Sequence, residues 1–263
     1  DNINPKAHFH KIDISTMGPR TLAKFMKGID TVFHVASKTR VQPSIKYPSL
    51  YHRVNVTGTV NMLVASVKAG VKRFVYSASS SAYGESDIMP LVETMPTNPM
   101  SPYGLSKLMG EEYCKLFTSQ YGLETVNLRY FNVYSPDQKA EGPYATAVAN
   151  WMQFIRDRKN PFITGDGEQR RDMANKLDVV SANIFAMRYE NKFKGQHFDV
   201  GTGNNISLNE IKQIVSENFP EVQFDYIASR QGDVLSSKAD IGPLKSLGWK
   251  PEINIKDGIR QCF

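Results

Sequence analysis

The chain has 263 residues, of which 41% are hydrophobic and 22% are charged. This composition is typical of a globular protein that can bury a sizeable core, as one large domain or two small ones. The net charge of +6 is dispersed along the sequence, which favours a solvated surface over a nucleic-acid-binding protein. No apolar run approaches the about 20 residues that a membrane-spanning helix needs, so we expect no membrane association.

Cysteine and histidine residues give little sign of a cross-link or a metal site. Cys114 and Cys262 lie far apart without a framework of paired cysteines, which favours a reducing compartment and a cytoplasmic protein. Neither has the spaced companions that a zinc site requires. His8 and His10 share one face of a predicted strand, and an exposed strand face explains them more simply than a metal does. We therefore expect no metal.

Short apolar runs alternate with segments of helical periodicity. The predicted strands are 8–12, 31–36, 73–78, 125–130 and 197–200. The predicted helices are 20–27, 48–69, 103–121 and 178–189, and Gly70 is the expected C-cap of the second. Such alternation, with near-continuous apolar strands, predicts a parallel sheet covered by helices on both faces. The predicted fold class is therefore a doubly wound, Rossmann-like α/β fold.

The pattern becomes less regular in two later stretches of the chain. Residues 131–177 are rich in Gly, Pro and charged side chains, and residues 203–263 mix short helices with loops. We predict that these two stretches form a smaller substrate-binding region. Residues 1–130 and 178–202 would form the cofactor-binding domain, because the helix and strand near 178–200 are expected to return to the main sheet.

Three residue types at two places in the chain predict a proton-transfer site. Tyr103 and Lys107 are four residues apart in a helix opened by Pro102, so both side chains project from one helix face. Ser79 begins a serine run directly after an apolar strand. A hydroxyl can hydrogen-bond a substrate, a phenol can take its proton, and an ammonium can lower the phenol's pKa from about 10. Turn chemistry and an exposed helix pair are the plain alternatives, but the combination favours catalysis.

Ligands of doubly wound sheets bind beyond the carboxyl ends of the strands. Ala36 and Ser37 follow one predicted strand, and Asn132 follows another. The glycine-rich dinucleotide fingerprint that should follow the first strand is missing from the sequence. A second candidate, Gly201-Thr-Gly203, is interpreted as an ordinary strand-to-helix turn, with the following helix capped by Ser207.

Arginines in loops rich in Gly and Asp are candidates for anion binding. Arg170, Arg171 and Arg230 occupy such loops, and the arginine fork suits bidentate recognition of a phosphate. A surface salt bridge is an equally simple role for any one of them.

Ordered motifs extend over most of the chain. They include H-V-A-S (34–37), N-V-T-G-T (55–59), S-A-S-S-S-A-Y-G (77–84), S-P-Y-G-L-S-K (101–107), L-R-Y-F-N-V-Y (128–134), G-D-G-E-Q-R-R-D (165–172) and R-Q-G-D (230–233). Together they resemble the extended short-chain dehydrogenase/reductase family, in particular nucleotide-sugar 4-epimerases of the UDP-glucose and UDP-N-acetylglucosamine type.

The resemblance implies NAD as cofactor, a UDP-sugar as substrate and a homodimer formed through helices 48–69 and 103–121. It implies catalytic roles for Ser79, Tyr103 and Lys107. The implied cofactor-binding residues are Asp13, Ile14, Ala36, Ser37, Asn55, Ser77, Tyr103, Lys107 and Tyr130. The implied substrate-binding residues are Ser79, Ser80, Tyr103, Asn132, Arg171, Arg230, Asp233 and Ser237.

Single positions favour 4-epimerisation within this group. Related 4,6-dehydratases carry Asp-Glu where this chain has Ser80 and Ser81, and related decarboxylases carry Glu at the Ser81 position. Hydroxyls cannot easily replace those carboxylates as acid and base. The residue seven positions beyond the R-x-G-D arginine is Ser237, which is small enough to leave room for an acetamido group. We expect a UDP-N-acetylhexosamine; UDP-glucose 4-epimerase, dehydratase and decarboxylase activities are the alternatives.

Two departures from the family pattern leave a different class of protein open. The family's opening strand, glycine-rich loop and first helix have no counterpart in the sequence, so a non-catalytic fragment without the cofactor's phosphate loop is a second hypothesis. After Arg171 and Asp172, Met-Ala-Asn-Lys (173–176) replaces the family's aromatic and β-branched residues. This difference puts the packing beneath the uridine in question.

Overall fold

The computed structural model describes residues 4–140, 146–229 and 234–263. The strands, in chain order, are β1 (Thr31–His34), β2 (Arg73–Ser79), β3 (Glu124–Tyr130), β4 (Phe162–Thr164), β5 (Arg170–Arg171), β6 (His197–Val200), β7 (Ile206–Ser207), β8 (Asp225–Ile227) and β9 (Ser236–Ser237). The α-helices are α1 (Pro19–Phe25), α2 (Val41–Lys46), α3 (Pro48–Tyr51), α4 (Gly58–Ala69), α5 (Pro102–Tyr121), α6 (Ala147–Arg156), α7 (Lys176–Arg188), α8 (Leu208–Asn218), α9 (Gly242–Ser246) and α10 (Ile255–Arg260).

The main sheet is parallel, with the strand order β1-β2-β3-β6. Side chains alternate between its faces, as the pleat requires. On β2, Phe74 and Tyr76 pack with α4 and α5, whereas Val75 packs with α7 on the opposite face. Helices therefore cover both faces, and the predicted doubly wound α/β fold is confirmed. The predicted return of the chain near 178–200 to this sheet is also confirmed, because β6 pairs with β3.

The predicted helix over 48–69 is interrupted. Between α3 and α4 the backbone forms a π-helical segment, His52–Thr57, a feature that is frequent at functional sites. The segment carries Asn55, whose side chain is buried. Apolar periodicity alone did not predict this change. Gly70 ends α4 in the left-handed region at φ 74°, as its C-cap position predicts.

The predicted strand over 8–12 is wrong. A strand needs a neighbouring strand to satisfy its backbone groups, and within the described residues β1 pairs with β2 alone. Residues 8–12 instead run as irregular chain. His8 and His10 consequently do not share a strand face, and the His10 ring packs against Phe25 with centroids 4.7 Å apart.

A second core lies outside the main sheet. It contains side chains from the stretches 131–177 and 203–263, including Trp151, Ile163, Ile211 and Ile259. Small sheets accompany it: β4 pairs with β8, and β5 lies between β7 and β9. This core contains the side chains expected of a smaller region beside the sheet domain; the domain boundaries themselves stay a prediction. No helix within the described ranges has the length and hydropathy to cross a membrane.

Candidate active site

The end of β2 meets the first turn of α5. Ser101 caps α5 by accepting a hydrogen bond from the Gly104 amide at 3.0 Å, and Pro102 occupies the first turn, where its missing N–H costs nothing. A Cβ on Gly104 would lie 2.6 Å from the Ser81 carbonyl oxygen. The glycine therefore permits the close approach that brings Tyr103 of α5 to the serine run of β2.

Tyr103 and Ser79 are brought together as predicted. Their side chains are hydrogen-bonded, and this bond lowers the pKa of the Tyr103 phenol, whereas burial, the larger influence, raises it. The Tyr51 ring meets the Tyr103 ring edge-on, with centroids 6.4 Å apart. Ser80 lies one residue beyond Ser79, at the start of a 3₁₀ turn, and is half-buried. The phenol thus belongs to a half-buried side chain and lies beside one hydroxyl.

Lys107 lies one helical turn after Tyr103 and is 3% exposed. Burial lowers the pKa of its ammonium to about 8. The Nζ atom lies 4.6 Å from the centroid of the Tyr76 ring. Glu111, one further turn along α5, is held by Arg129 of β3 in a bidentate pair with N–O distances of 3.0 Å and 2.7 Å.

The connection after β1 forms another wall of this edge of the sheet. Ala36 is exposed and Ser37 is half-buried. Asn55 does not present its amide to the site, because its Oδ1 accepts from the Lys38 amide at 2.7 Å and its Nδ2 donates to the Lys38 carbonyl and to Ser106 Oγ, each at 2.9 Å. Asn55 therefore fixes the connection after β1 to α5, and its direct contact with a cofactor stays a prediction.

Two predicted cofactor-binding residues contact each other. The hydroxyls of Ser77 and Tyr130 are 2.9 Å apart, and the Tyr130 hydroxyl also contacts Asn183 of α7. Burial raises the pKa of Tyr130. The Tyr130 hydroxyl is therefore engaged on the α7 side of the sheet.

Asp13 and Ile14 lie farther along the same edge. The Asp13 carboxylate accepts hydrogen bonds from the amide and hydroxyl of Ser15, at 2.9 Å and 2.7 Å, and these bonds lower its pKa. The Ile14 carbonyl accepts from Asn61 Nδ2 at 2.9 Å. These contacts hold the segment against α4.

Three predicted substrate-binding residues form a second cluster. Asn132 Nδ2 donates to the Asp172 carbonyl at 2.8 Å and to Ser237 Oγ at 3.3 Å. Arg171 of β5 pairs with Ser237 of β9 in parallel register. Arg230 and Asp233 lie outside the described residues, so their predicted roles stay predictions.

Asp172 holds this second cluster together. Its carboxylate accepts from the amides of Thr202, Gly203 and Ala239, at 2.8, 3.0 and 3.0 Å. Two backbone amides of the turn at 201–203 are thus bonded to a side chain of the protein, as expected of an ordinary strand-to-helix turn. The following helix α8 has the expected capping box of Ser207 and Glu210.

Several residues of the site were missed by sequence reasoning. Tyr76 shapes the surroundings of Lys107, and Asp172 organises the second cluster. Gly104 lies inside the S-P-Y-G-L-S-K motif that the sequence analysis identified. The reason for a glycine at this position is evident only from the structure, in which the Ser81 carbonyl lies against it. No sequence signal marks Tyr76, which is one aromatic residue in an apolar strand.

Comparisons with known proteins agree on one family. A family model described as the NAD dependent epimerase/dehydratase family matches residues 1–201. A protein of Methanocaldococcus jannaschii named for UDP-glucose 4-epimerase activity is 38% identical over 266 residues, covering 99% of this chain and 84% of its own length.

Two solved structures are similar over nearly the whole chain. The UDP-glucose 4-epimerase of Thermotoga maritima, with UDP-glucose, superposes with a TM-score of 0.92 at 32% identity, covering 99% of this chain and 84% of that one. The UDP-N-acetylglucosamine 4-epimerase of Methanobrevibacter ruminantium M1, in complex with UDP-N-acetylmuramic acid, gives a TM-score of 0.90 at 32% identity, covering 96% and 80%.

Proposed function

Because the chain belongs to the NAD-dependent epimerase/dehydratase family and is an NAD-dependent UDP-sugar 4-epimerase, we propose that it inverts C4 of a UDP-N-acetylhexosamine. The observation that carries the chemical part of this proposal is the hydrogen-bonded pair of Ser79 and Tyr103 beside the buried Lys107. The observation that supports the choice of sugar is the small, buried side chain of Ser237 next to Arg171.

The residues beside Tyr103 fit a nicotinamide nucleotide. Lys107 forms no ion pair within residues 4–140, 146–229 and 234–263, so its N–H groups can donate to the hydroxyls of a ribose. Ala36 and Ser37 leave open backbone at the end of β1, the place where doubly wound sheets bind ligands. When bound, NAD supplies the reversible removal of hydride from the sugar carbon.

Tyr103 performs the proton transfer in this proposal. Its phenolate takes the proton of the sugar 4-hydroxyl as that carbon is oxidised, and its phenol returns a proton after the 4-ketose has turned over in the pocket. Ser79 hydrogen-bonds the same sugar oxygen and keeps it within reach of Tyr103. The positive charge of Lys107 favours the phenolate over the phenol, which opposes the effect of burial on the Tyr103 pKa.

Asn132, Arg171 and Ser237 bind the nucleotide-sugar in this proposal. Arg171 supplies a cation for the diphosphate. Asn132 and Ser237 are joined by a hydrogen bond, so the hydroxyl of Ser237 turns towards Asn132. In this proposal the short Ser237 side chain makes room for the 2-acetamido group of the sugar, which a bulky side chain at the same position would exclude.

A substrate panel tests the proposed sugar. We expect the protein to interconvert the C4 epimers of UDP-N-acetylhexosamine with a kcat/KM at least about tenfold above that for UDP-glucose, as measured by proton NMR of the product mixture after addition of NAD. A preference for UDP-glucose would contradict the choice of sugar and leave 4-epimerisation intact. Absence of C4 inversion on both would contradict the activity itself.

We also propose that two copies associate through the surface formed by the helical residues 48–69 and α5. Apolar side chains are exposed along α5, with Leu105 at 48% and Leu116 at 47%. Leu105 also lines a groove of about 660 Å³, together with residues that include Pro48, His52 and Met109. Sedimentation should give a dimer for the wild type and a monomer for the double variant Leu105→Glu, Leu116→Glu; a monomeric wild type would contradict the proposal.

A further inference from the structure

We propose that Tyr76 is a positioning residue for the epimerase reaction: its ring face stabilises the buried Lys107 ammonium in the place of a carboxylate. Tyr76 belongs to none of the motifs named above. The predicted effect of Tyr76 on turnover rests on the proposed function, whereas its predicted effect on the Lys107 titration does not. The first observation is geometric. The Nζ atom lies 4.6 Å from the centre of the Tyr76 ring, well inside the range in which an aromatic face attracts a cation.

The second observation is the absence of a dedicated counter-ion. The acidic side chain that acts on Lys107, Glu111, is held bidentately by Arg129, and Lys107 forms no ion pair with any residue that the structure describes. A buried charge without compensation is costly. The negative face of the Tyr76 ring therefore adds to the partial compensation that the Arg129-paired Glu111 carboxylate provides, and it uses none of the three N–H donors.

The third observation is that the ring is built into its position. A Cβ on Gly110 would lie 2.1 Å from the Tyr76 hydroxyl oxygen, so only glycine lets α5 close over the ring. The hydroxyl donates to the Lys107 carbonyl at 3.3 Å. The ring is thus fixed on the same helical turn that carries the ammonium.

The other groups that face Lys107 do not oppose this role. From β1, the His34 ring stacks on Tyr76 with centroids 5.8 Å apart; burial lowers the pKa of His34 to about 3, so it is neutral at pH 7. From α5, the Glu111 carboxylate favours the charged form of Lys107 and is already paired with Arg129. Burial raises the pKa of the Cys114 thiol well above its usual range, so Cys114 is neutral at pH 7. Tyr103 lies on the same helix face, one turn earlier.

A direct titration of Lys107 tests the inference. In the full chain labelled with ε-¹³C lysine, the Lys107 resonance, assigned by its loss in Lys107→Met, should titrate near pH 8. In Tyr76→Leu its midpoint should fall by about one pH unit, because loss of the ring disfavours the charged form. Tyr76→Phe keeps the ring and should leave the midpoint in place.

Matched controls separate positioning from a general loss of core packing. Phe74→Leu removes a ring from the same face of β2 and the same core without a contact to Lys107, and should not move the midpoint. Gly110→Ala, which displaces the ring, should move it downward and serves if Tyr76→Leu does not fold. An unchanged midpoint in the folded Tyr76→Leu or Gly110→Ala variant would overturn the inference, and so would an equal shift in Phe74→Leu.

Turnover provides an independent arm. If the ammonium is required, turnover is retained below the Lys107 pKa and lost as the pH rises through it. The pH at which turnover of the wild type falls, near pH 8, should therefore be lower in Tyr76→Leu and unchanged in Phe74→Leu. A wild type without epimerase activity would contradict the proposed function, while the titration would still decide the role of Tyr76.

Discussion

The two clusters of proposed site residues are built in different ways. Ser79, Tyr103 and Lys107 come from one strand and the helix that packs on it, and glycines set how closely the two elements approach. Asn132, Arg171 and Ser237 come from three separate segments, joined by two-residue strands and by Asp172. The first cluster has the fixed geometry that proton transfer needs. The second is assembled from independent loops, so the sugar that is accepted can change without altering the chemistry.

Gly104→Ala should reduce turnover more than any other variant that leaves the functional side chains of the first cluster unchanged. The added Cβ would meet the Ser81 carbonyl at 2.6 Å, so α5 must move away from β2 and carry Tyr103 from Ser79. A displacement of about 1 Å can cost roughly a hundredfold in turnover. Gly18→Ala, where nothing lies within 4 Å of the added Cβ, is the control. Equal turnover in both variants would show that the contact of α5 with the serine turn is not required.

Ser237→Tyr should alter the second cluster with a smaller effect and no change in chemistry. A bulky side chain fills the space assigned to the acetamido group, so the ratio of kcat/KM for UDP-N-acetylhexosamine to that for UDP-glucose should fall about tenfold. Ser236→Tyr, on the neighbouring residue of β9, controls for the strain of a large side chain in a two-residue strand. A parallel loss on both sugars would instead indicate damage to the shared UDP site.

The smallest expected effect concerns the backbone beside the first cluster. Arg40 has a φ of 82°, a region that a side chain with a Cβ adopts at a cost. Arg40→Gly should therefore be more stable than Arg40→Ala by about 1 kcal/mol in urea unfolding. The same pair at Arg53, inside the helical run that contains the π-helix, should give the reverse order because glycine is the poorer helix former. An Arg40→Ala variant that is as stable as Arg40→Gly, or more stable, would mean that Arg40 is unstrained.

The sequence was sufficient to predict which residues of the first cluster lie close together, and insufficient for much of the rest. The proximity of Tyr103 and Ser79 could be predicted because functional side chains of a doubly wound sheet gather at the carboxyl ends of its strands, and Lys107 lies one helical turn from Tyr103; the catalytic roles of the three residues stay predictions. The strand over 8–12 was predicted wrongly because apolar alternation says nothing about whether a pairing partner exists. Asp172 and Tyr76 could not be found, since their roles depend on backbone amides and a cation that come from distant parts of the chain.

The proposed chemistry depends on the phenol of Tyr103, and removing its hydroxyl tests the account most directly. Tyr103→Phe should lose epimerase turnover by at least about a hundredfold, the low end of what a positioned acid–base group contributes. Its affinity for UDP, measured by calorimetry, should stay within about twofold, because UDP binding is assigned to the second cluster. Turnover equal to that of the wild type would contradict the account, since proton transfer would then proceed without the residue to which it is assigned.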